Sequence, residues 1–298
     1  MKNSILYIFI LLILIFVSNL IFFYESFDNN DENNNDEKTI IFCYSNSDYY
    51  DVLNVQNDYL KKIKNIYKIL IIDKIIPEHN NLEFDKIIFY DNNISYTKRI
   101  NNSLKIIKEN NDIKNKDYLI FIHETDVVIK YDDSIIKLLI NEMKKNNIDR
   151  IQLSPVFENE NPTFDPYDNL DIGSNKINFK LYKNKFMCYT VTPGIWNVNI
   201  YIYFTDNFDN DYRKAENNDT MNFCNKNMNV YYLYSLNEKD TVRTTQNYCI
   251  NFFVTLRLTS NSKKLNINIT PNNDDEILVL NEYNYIMSNY QINEKRKY

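Results

Sequence analysis

The chain has 298 residues, of which 44% are hydrophobic, and this is enough apolar material for the packed core of a globular domain. A disordered protein is therefore excluded. The formal net charge of −6 argues against the broad positive face that binding to a phosphate backbone requires, so no nucleic acid partner is expected.

The first predicted element is a membrane anchor. Residues 5–23 contain no charged side chain, and about 20 apolar residues suffice to cross a bilayer as a helix. Lys2 precedes this segment and acidic residues follow it, which favours a single-pass type II protein with its main domain in a lumen or otherwise outside the cytosol. A cleavable signal peptide is the alternative, but no small-residue cleavage site follows. We assign residues 1–24 to the anchor and the polar residues 25–38 to a solvated stalk.

Beyond the stalk, short apolar runs alternate with amphipathic stretches, which predicts an α/β domain with a mainly parallel sheet. Strands are predicted at residues 40–44, 66–73, 86–90, 118–122, 149–153 and 186–192. Apolar residues at helical spacing predict helices in residues 52–63, 100–107 and 135–143. A further helix is predicted at residues 212–225. The fully apolar run 118–122 indicates a central strand covered on both faces.

The remaining segments carry weaker patterns. Residues 154–176 are polar and predict a long loop, while residues 276–280 predict a strand that precedes a short final helix. We assign residues 39–255 to the main domain and 256–298 to a C-terminal extension.

The cysteines Cys43, Cys188, Cys224 and Cys249 form no C-x-x-C pair, so a structural zinc site is not expected. Burial as thiols is the expectation. In an oxidising lumen, a disulfide between Cys224 and either Cys188 or Cys249 is the alternative.

Polar residues follow directly after the predicted central strand, where open α/β sheets bind their ligands. Glu124 and Asp126 are two positions apart, so an extended backbone points both carboxylates the same way. Such a pair can hold Mn²⁺ or Mg²⁺ with open positions for phosphate oxygens. Two solvated carboxylates at a strand end are the alternative. His123 is either a metal ligand or general base, or a hydrogen-bonded core residue that orients a carboxylate.

The segments YDNNISYTKRINNSLKII and DYLIFIHETDVVI follow each other as a strand, a polar turn, a helix with Arg and Asn, and an acidic motif after a strand. This order resembles the GT-A nucleotide-sugar glycosyltransferases. It is also similar to glycosyltransferase-like proteins of large DNA viruses, which carry His-Glu-any-Asp after a strand and a later Pro-any-Ile-Trp segment. The resemblance covers residues 39–255 and implies a GT-A-like, Rossmann-like mixed sheet with flanking helices.

The resemblance also implies roles for single residues. It places the donor nucleotide sugar at Tyr44, Ser45, Asp73, Arg99, Asn102 and Glu124. It assigns the metal to Asp126, Glu124 and His123. It places Gly194 and Trp196 in the acceptor pocket, with the indole stacked on a sugar ring, whereas a core tryptophan above a tight turn is the alternative. As one of two glycines in the chain, Gly194 indicates either a positive φ or a close backbone approach.

A catalytic base is implied at Glu216, with Asp219 in reserve, because inverting GT-A enzymes carry an acidic residue at this point of the order. The alternative is that both acids stabilise the dipole of a helix in its first turn. Arg213 and Lys214 contact a diphosphate in one interpretation and are solvated in the other.

Together these features predict a type II membrane glycosyltransferase that moves a sugar from a nucleotide-sugar donor to a hydroxyl of a glycan, glycoprotein or glycolipid, with help from a divalent metal. One alternative is a non-catalytic sugar-binding or partner-binding ectodomain with a degenerate GT-A fold. The other is a metal-dependent phosphoesterase.

Overall fold

The computed structural model describes residues 39–110, 113–153, 164–174, 177–184, 189–235, 243–244, 247–250, 253–258 and 274–293. The predicted anchor and stalk lie outside these ranges. Within them, no helix combines the length and the apolar character that crossing a membrane requires.

The strands, in chain order, are β1 (Thr39–Tyr44), β2 (Ile66–Ile72), β3 (Lys86–Phe89), β4 (Tyr118–His123), β5 (Asp126–Tyr131), β6 (Arg150–Gln152), β7 (Phe164–Ser174), β8 (Ile177–Asn184), β9 (Gly194–Asn197), β10 (Val230–Ser235), β11 (Arg243–Thr244), β12 (Asn247–Ile250) and β13 (Phe253–Arg257). The α-helices are α1 (Tyr50–Leu60), α2 (Tyr96–Glu109), α3 (Asp133–Asn146), α4 (Val198–Asp206), α5 (Asn218–Asn227) and α6 (Asp274–Asn289). Short 3-10 helices lie at Ser47–Tyr49 and Tyr212–Lys214.

The main sheet has the strand order β3-β2-β1-β4-β9-β6-β10-β8-β7. The strands β3, β2, β1 and β4 are parallel to one another. Strand β9 lies between β4 and β6 and is antiparallel to both, and β10 is parallel to β6. Only β8 and β9 oppose the direction of the other strands in this sheet. The mixed, mainly parallel sheet with flanking helices is thus confirmed, as is the interior position of β4.

Both faces of the sheet are covered, which explains the continuous apolar runs of its central strands. Ile41 and Cys43 of β1 point to one core, which also contains apolar residues of α1 and α3. Ile40 and Phe42 point to the other core, which is shared with α2 and α4. Caps fix the starts of two helices: Ser95 accepts a hydrogen bond from Lys98 N in α2, and Asp132 accepts two at the start of α3.

A second, antiparallel sheet has the order β11-β12-β13-β5, and α6 packs beside it. The chain reverses at Glu124 and Thr125, so that β5 leaves the main sheet directly after β4. Val127 of β5 packs with apolar residues of α1 and α6 in a third core. The domain boundary predicted after residue 255 falls inside β13.

Three sequence predictions are wrong. The run 276–280 lies in α6, where buried Val279, Tyr283 and Ile286 have helical rather than strand spacing. The predicted loop 154–176 contains β7, an outermost strand that pairs only with β8 among the described strands and therefore needs no continuous apolar run. The segment 186–192 is predicted as a strand, but its described residues 189–192 do not form one. The strands that pair within the main sheet on either side of this segment are β8, which ends at Asn184, and β9, which begins at Gly194.

The structure shows the state of two of the four cysteines. Cys43 and Cys224 are buried thiols, as expected. The disulfide alternatives stay predictions. Cys188 lies outside the described residues.

Candidate active site

A cleft of about 300 Å³ opens at the carboxyl ends of β1 and β4. From β1 the chain proceeds to β2 and β3 on one side, while β4 lies on the other, so this is the point where the strand order reverses. Open α/β sheets bind ligands in such a crevice. The residues that line it are Tyr44, Asn46, Tyr49, Tyr96, Arg99, His123, Glu124, Thr125, Asp211 and Tyr212.

Arg99 is a fixed cation of the cleft. Its guanidinium donates to the carbonyls of Asn92 and Ile94 at 2.8 and 2.9 Å and to the Tyr44 hydroxyl at 3.0 Å. The guanidinium carbon lies 4.8 Å above the ring of Tyr90, a cation–π geometry. Burial lowers the pKa of Arg99, but the hydrogen bond with Tyr44 and the further interactions with Tyr44 and Tyr90 together outweigh burial, and the net shift is upward. The side chain therefore stays charged in one orientation.

Aromatic rings form most of the remaining wall. Tyr96 lies nearly parallel to His123 with ring centroids 6.0 Å apart, and its hydroxyl is 2.9 Å from His123 Nε2. Tyr212, with 37% of its surface exposed, contacts both rings edge-on at 5.1 and 5.6 Å. Burial raises the pKa of Tyr44 and of Tyr96, so both hydroxyls keep their protons and can donate hydrogen bonds. Such walls suit planar bases and sugar rings.

The wall formed by Asp211 and Tyr212 is held by Thr97 in the first turn of α2. Thr97 N donates to the carbonyl of Asn210 at 3.1 Å, and Asn210 N donates back to Thr97 Oγ1 at 2.9 Å. The same hydroxyl donates to the carbonyl of Phe208 at 3.0 Å. Two segments that are far apart in sequence are thereby joined at the rim of the cleft.

The structure brings together some of the predicted site residues: Tyr44, Arg99 and Glu124 of the donor set and His123 of the metal set line the cleft. Sequence reasoning missed Asn46, Tyr49, Tyr96, Thr125, Asp211 and Tyr212. The loops after β1 and β4 were a usable signal for Asn46, Tyr49 and Thr125, because both strands were predicted. Nothing local indicated Asp211 and Tyr212, whose position depends on the packing of α4 against α2.

Other predicted donor residues lie elsewhere. Ser45 is buried, and its carbonyl accepts the hydroxyl of Tyr90 at 2.8 Å. Asn102 is exposed on α2 and does not line the cleft. Asp73 accepts hydrogen bonds from N and Oγ of Ser47 at 2.7 and 2.8 Å. Burial opposes the charge of Asp73, but these bonds and one from Asn92 outweigh it and lower the pKa. Asp73 thus holds the turn that follows β1.

Two of the three predicted metal ligands, His123 and Glu124, line the cleft, and the third does not. The turn after β4 directs Glu124 into the cleft, whereas Asp126 begins β5, is buried and does not line the cleft. Asp126 Oδ2 lies 3.9 Å from His123 Nδ1. Among the residues that the structure describes, no three His, Cys, Asp or Glu side chains are grouped so as to hold a metal ion. Metal dependence stays a prediction.

Neither predicted base lines the cleft. Glu216 is exposed, and its Oε1 accepts a hydrogen bond from Val191 N, which attaches the segment before β9 to the start of α5. Asp219 is exposed in the first turn of α5, where its charge matches the helix dipole. Lys214 is exposed in the preceding 3-10 helix. Arg213 lies in the same 3-10 helix, which ends just before Ala215.

Gly194 and Trp196 belong to β9 in the middle of the main sheet. Gly194 has no positive φ, and a Cβ there would lie 3.1 Å from Ile151 O and 3.2 Å from Arg150 Nε, so the expected close approach is confirmed. Trp196 is fully buried, with its ring stacked on Tyr201 at 4.1 Å and Arg150 above it at 4.6 Å. It is a core residue, as in the alternative, and has no face open to a sugar.

Fold and site together define an α/β protein with an open mixed sheet and a ligand cleft at its switch point. Neither a protein-family model nor the sequence of a curated protein matches the chain. Among solved structures, a UDP-glucose pyrophosphorylase complexed with UDP-glucose is similar at 10% identity and a TM-score of 0.40, over 83% of this chain and 99% of that chain.

The galactosyltransferase LgtC in complex with donor and acceptor sugar analogs is similar at 12% identity and a TM-score of 0.35, over 65% of this chain and 73% of that chain. Similarity of this degree identifies neither an activity nor a ligand for this chain. The resemblance to viral proteins stays a prediction.

Proposed function

We propose that the protein is a glycosyltransferase that binds a nucleotide sugar in the cleft between β1 and β4. The observation that supports this most is the convergence of Arg99, Glu124 and the ring of Tyr212 at the switch point of the sheet. A guanidinium pairs with phosphate oxygens, a carboxylate accepts hydrogen bonds from hydroxyls, and an aromatic ring stacks on a base or a sugar. A nucleotide sugar carries phosphate oxygens, hydroxyls, a base and a sugar ring, so it can make all of these contacts.

Two carboxylates line the cleft, and we assign a different role to each of them. Glu124 is 6% exposed and is assigned to hydroxyls of the donor. Asp211 is exposed at the rim, where an acceptor arrives from solvent, and a base must reach the hydroxyl that it deprotonates. Asp211 therefore replaces Glu216 as the assigned base.

In the proposed reaction, Asp211 takes the proton of the acceptor hydroxyl while the hydroxyl oxygen forms a bond to the anomeric carbon of the donor. The bond between that carbon and the diphosphate breaks, and the nucleoside diphosphate leaves with the electron pair. The charge of Arg99 offsets the negative charge on this leaving group. No step in this scheme uses a metal ion.

The acceptor is a hydroxyl of a glycan, glycoprotein or glycolipid, as the sequence resemblance implies. We further propose that residues 1–24 anchor the protein as a single-pass type II membrane protein with the cleft outside the cytosol. The uncharged segment 5–23 and the acidic residues after it support this orientation.

A non-catalytic binding protein is the second candidate. It is favoured by the positions of Asp126 and Glu216, because neither the second motif carboxylate nor the predicted base lines the cleft. Such a protein keeps the ligand and lacks turnover.

The test uses the full chain in detergent with a panel of nucleotide sugars and radiolabelled donors. We expect a nucleotide sugar to raise the Tm and its sugar to reach an acceptor. Arg99→Gln should lose the rise in Tm, while Asn102→Ala, on the same helix but outside the cleft, should keep it. Binding without transfer to any acceptor indicates the binding protein. If no nucleotide sugar changes the Tm, the proposed function is wrong.

A further inference from the structure

A second cleft, of about 390 Å³, lies near the amino end of β1, whereas the candidate active site lies at its carboxyl end. The residues that line the second cleft are Tyr59, Lys62, Ile63, Lys64, Val128, Ile129, Lys130, Tyr131 and Asp133. Thr39, the first residue of β1, donates a hydrogen bond to Asp133 at its edge. The two clefts share no lining residue, so the second one requires its own explanation.

Lysines dominate the charge of this second cleft. Lys62 and Lys64 come from the turn after α1, and Lys130 comes from β5. The turn is closed by Asn65, whose φ of 59° is left-handed, and Lys62 Nζ lies 4.2 Å above the ring of Tyr59. This cation–π contact therefore fixes the ammonium group of Lys62 against the ring of Tyr59, while Lys64 and Lys130 line the same cleft.

The acidic residue of this lining is already engaged. The Asp133 carboxylate accepts hydrogen bonds from Thr39 Oγ1 at 3.3 Å and from the Tyr131 hydroxyl at 3.1 Å. It also pairs with Lys137 Nζ at 3.0 Å. The lining thus has an excess of positive charge on a chain whose net charge is −6.

We infer that this lysine cleft is a binding site for a phosphate group, carried either by a soluble phosphate ester or by a phospholipid headgroup. Ammonium groups bind phosphate as point charges, and several of them around one space match the several oxygens of a dianion. Apolar neighbours such as Ile63 and Val128 lower the local polarity, which strengthens the attraction. The inference is independent of the proposed transfer reaction.

The first arm of the test measures thermal unfolding of the full chain in detergent, in sodium phosphate and in sodium chloride of equal ionic strength. Matching ionic strength removes general screening. Phosphate should raise the Tm by about 3 °C when it is present at about ten times its Kd. K62Q/K64Q should lose this rise and K62R/K64R should keep it. K145Q/K226Q is the matched control, because it removes the same charge from exposed positions on other helices and should respond like the wild type.

The second arm places the full chain in phosphatidylcholine vesicles with or without phosphatidic acid and follows hydrogen exchange in residues 61–65. A response to inorganic phosphate indicates a soluble ester. Protection by phosphatidic acid without that response indicates a lipid headgroup, and both results support the site. An equal response of wild type and K62Q/K64Q, or no response to either probe, would overturn the inference.

Discussion

The hydroxyl of Tyr44 accepts a hydrogen bond of 3.0 Å from Nη1 of Arg99, and this bond joins the carboxyl end of β1 to α2. Tyr44→Phe removes the acceptor and keeps the ring that stacks on Tyr90. We expect nucleotide-sugar affinity to fall about tenfold, because one charge-assisted hydrogen bond orients the guanidinium. Isothermal titration calorimetry measures this effect. Unchanged affinity would show that the bond does not position Arg99 for the ligand.

Asp211 and Glu216 can be separated by paired substitutions. Asp211→Asn should lower kcat about 100-fold or more and leave donor affinity intact, because it removes a base and keeps the shape of the wall. Glu216→Gln should leave kcat within about threefold, since its carboxylate binds Val191 N outside the cleft. The measurement is transfer kinetics with a radiolabelled donor. The opposite pattern would return the base to Glu216.

Metal dependence has a direct test in binding. Asp126 does not line the cleft, and the described residues contain no group of three His, Cys, Asp or Glu side chains that could hold a metal ion. We therefore expect affinity for a nucleoside diphosphate to agree within about threefold between a chelator and Mn²⁺. The comparison is made by calorimetry on the full chain. A tenfold or larger gain with Mn²⁺ would restore the predicted metal, and Asp126→Ala would then show whether that residue holds it.

Gly194→Ala should destabilise the protein by about 1–3 kcal/mol, because the new Cβ would meet Ile151 O at 3.1 Å inside the sheet. Urea unfolding measures the loss. Trp196 is the sole tryptophan and is fully buried, so its emission should shift to the red on unfolding. Asn102→Ala is the surface control. Equal stability of Gly194→Ala and wild type would show that the neighbouring strand gives way without cost.

The lowered pKa of Asp73 predicts that the stability of the fold depends on pH. Its folded pKa lies below its ordinary value, so the folded state favours the charged form. This stabilisation is complete above the unfolded pKa of about 3.9 and is lost as the pH falls through the folded pKa. Asp73→Asn should lower the Tm at pH 7 and flatten the fall of Tm in acid. An unchanged acid profile would contradict the role of Asp73 as the charged partner of Ser47.

The first half of the domain was predicted well from sequence, because its signals are local. The strands β1 to β4 are short apolar runs, and α1 to α3 repeat apolar residues at helical spacing. The second half was predicted less well. The polar edge strand β7 has no apolar run, and the apolar residues near Val279 fit a strand or a helix until their partners are known.

The candidate site was predicted only where it is close to a predicted strand end. Tyr44, His123 and Glu124 follow β1 and β4, and parallel strands bring their carboxyl ends to one edge. The expected pairing of Glu124 with Asp126 assumed a continuous extended backbone. The turn at Glu124 and Thr125 interrupts that extended backbone, and no local pattern marked the turn.

By itself, the sequence determined an α/β domain with a buried central strand and a polar site at its end, because hydrophobic periodicity reports which faces are covered. The tertiary structure alone decided which carboxylates face the cleft. Asp211 reaches the rim because Thr97 binds the segment that precedes it, and Thr97 and Asn210 are 113 positions apart. Contacts of that sequence separation arise from the packing of whole helices, which no short pattern encodes.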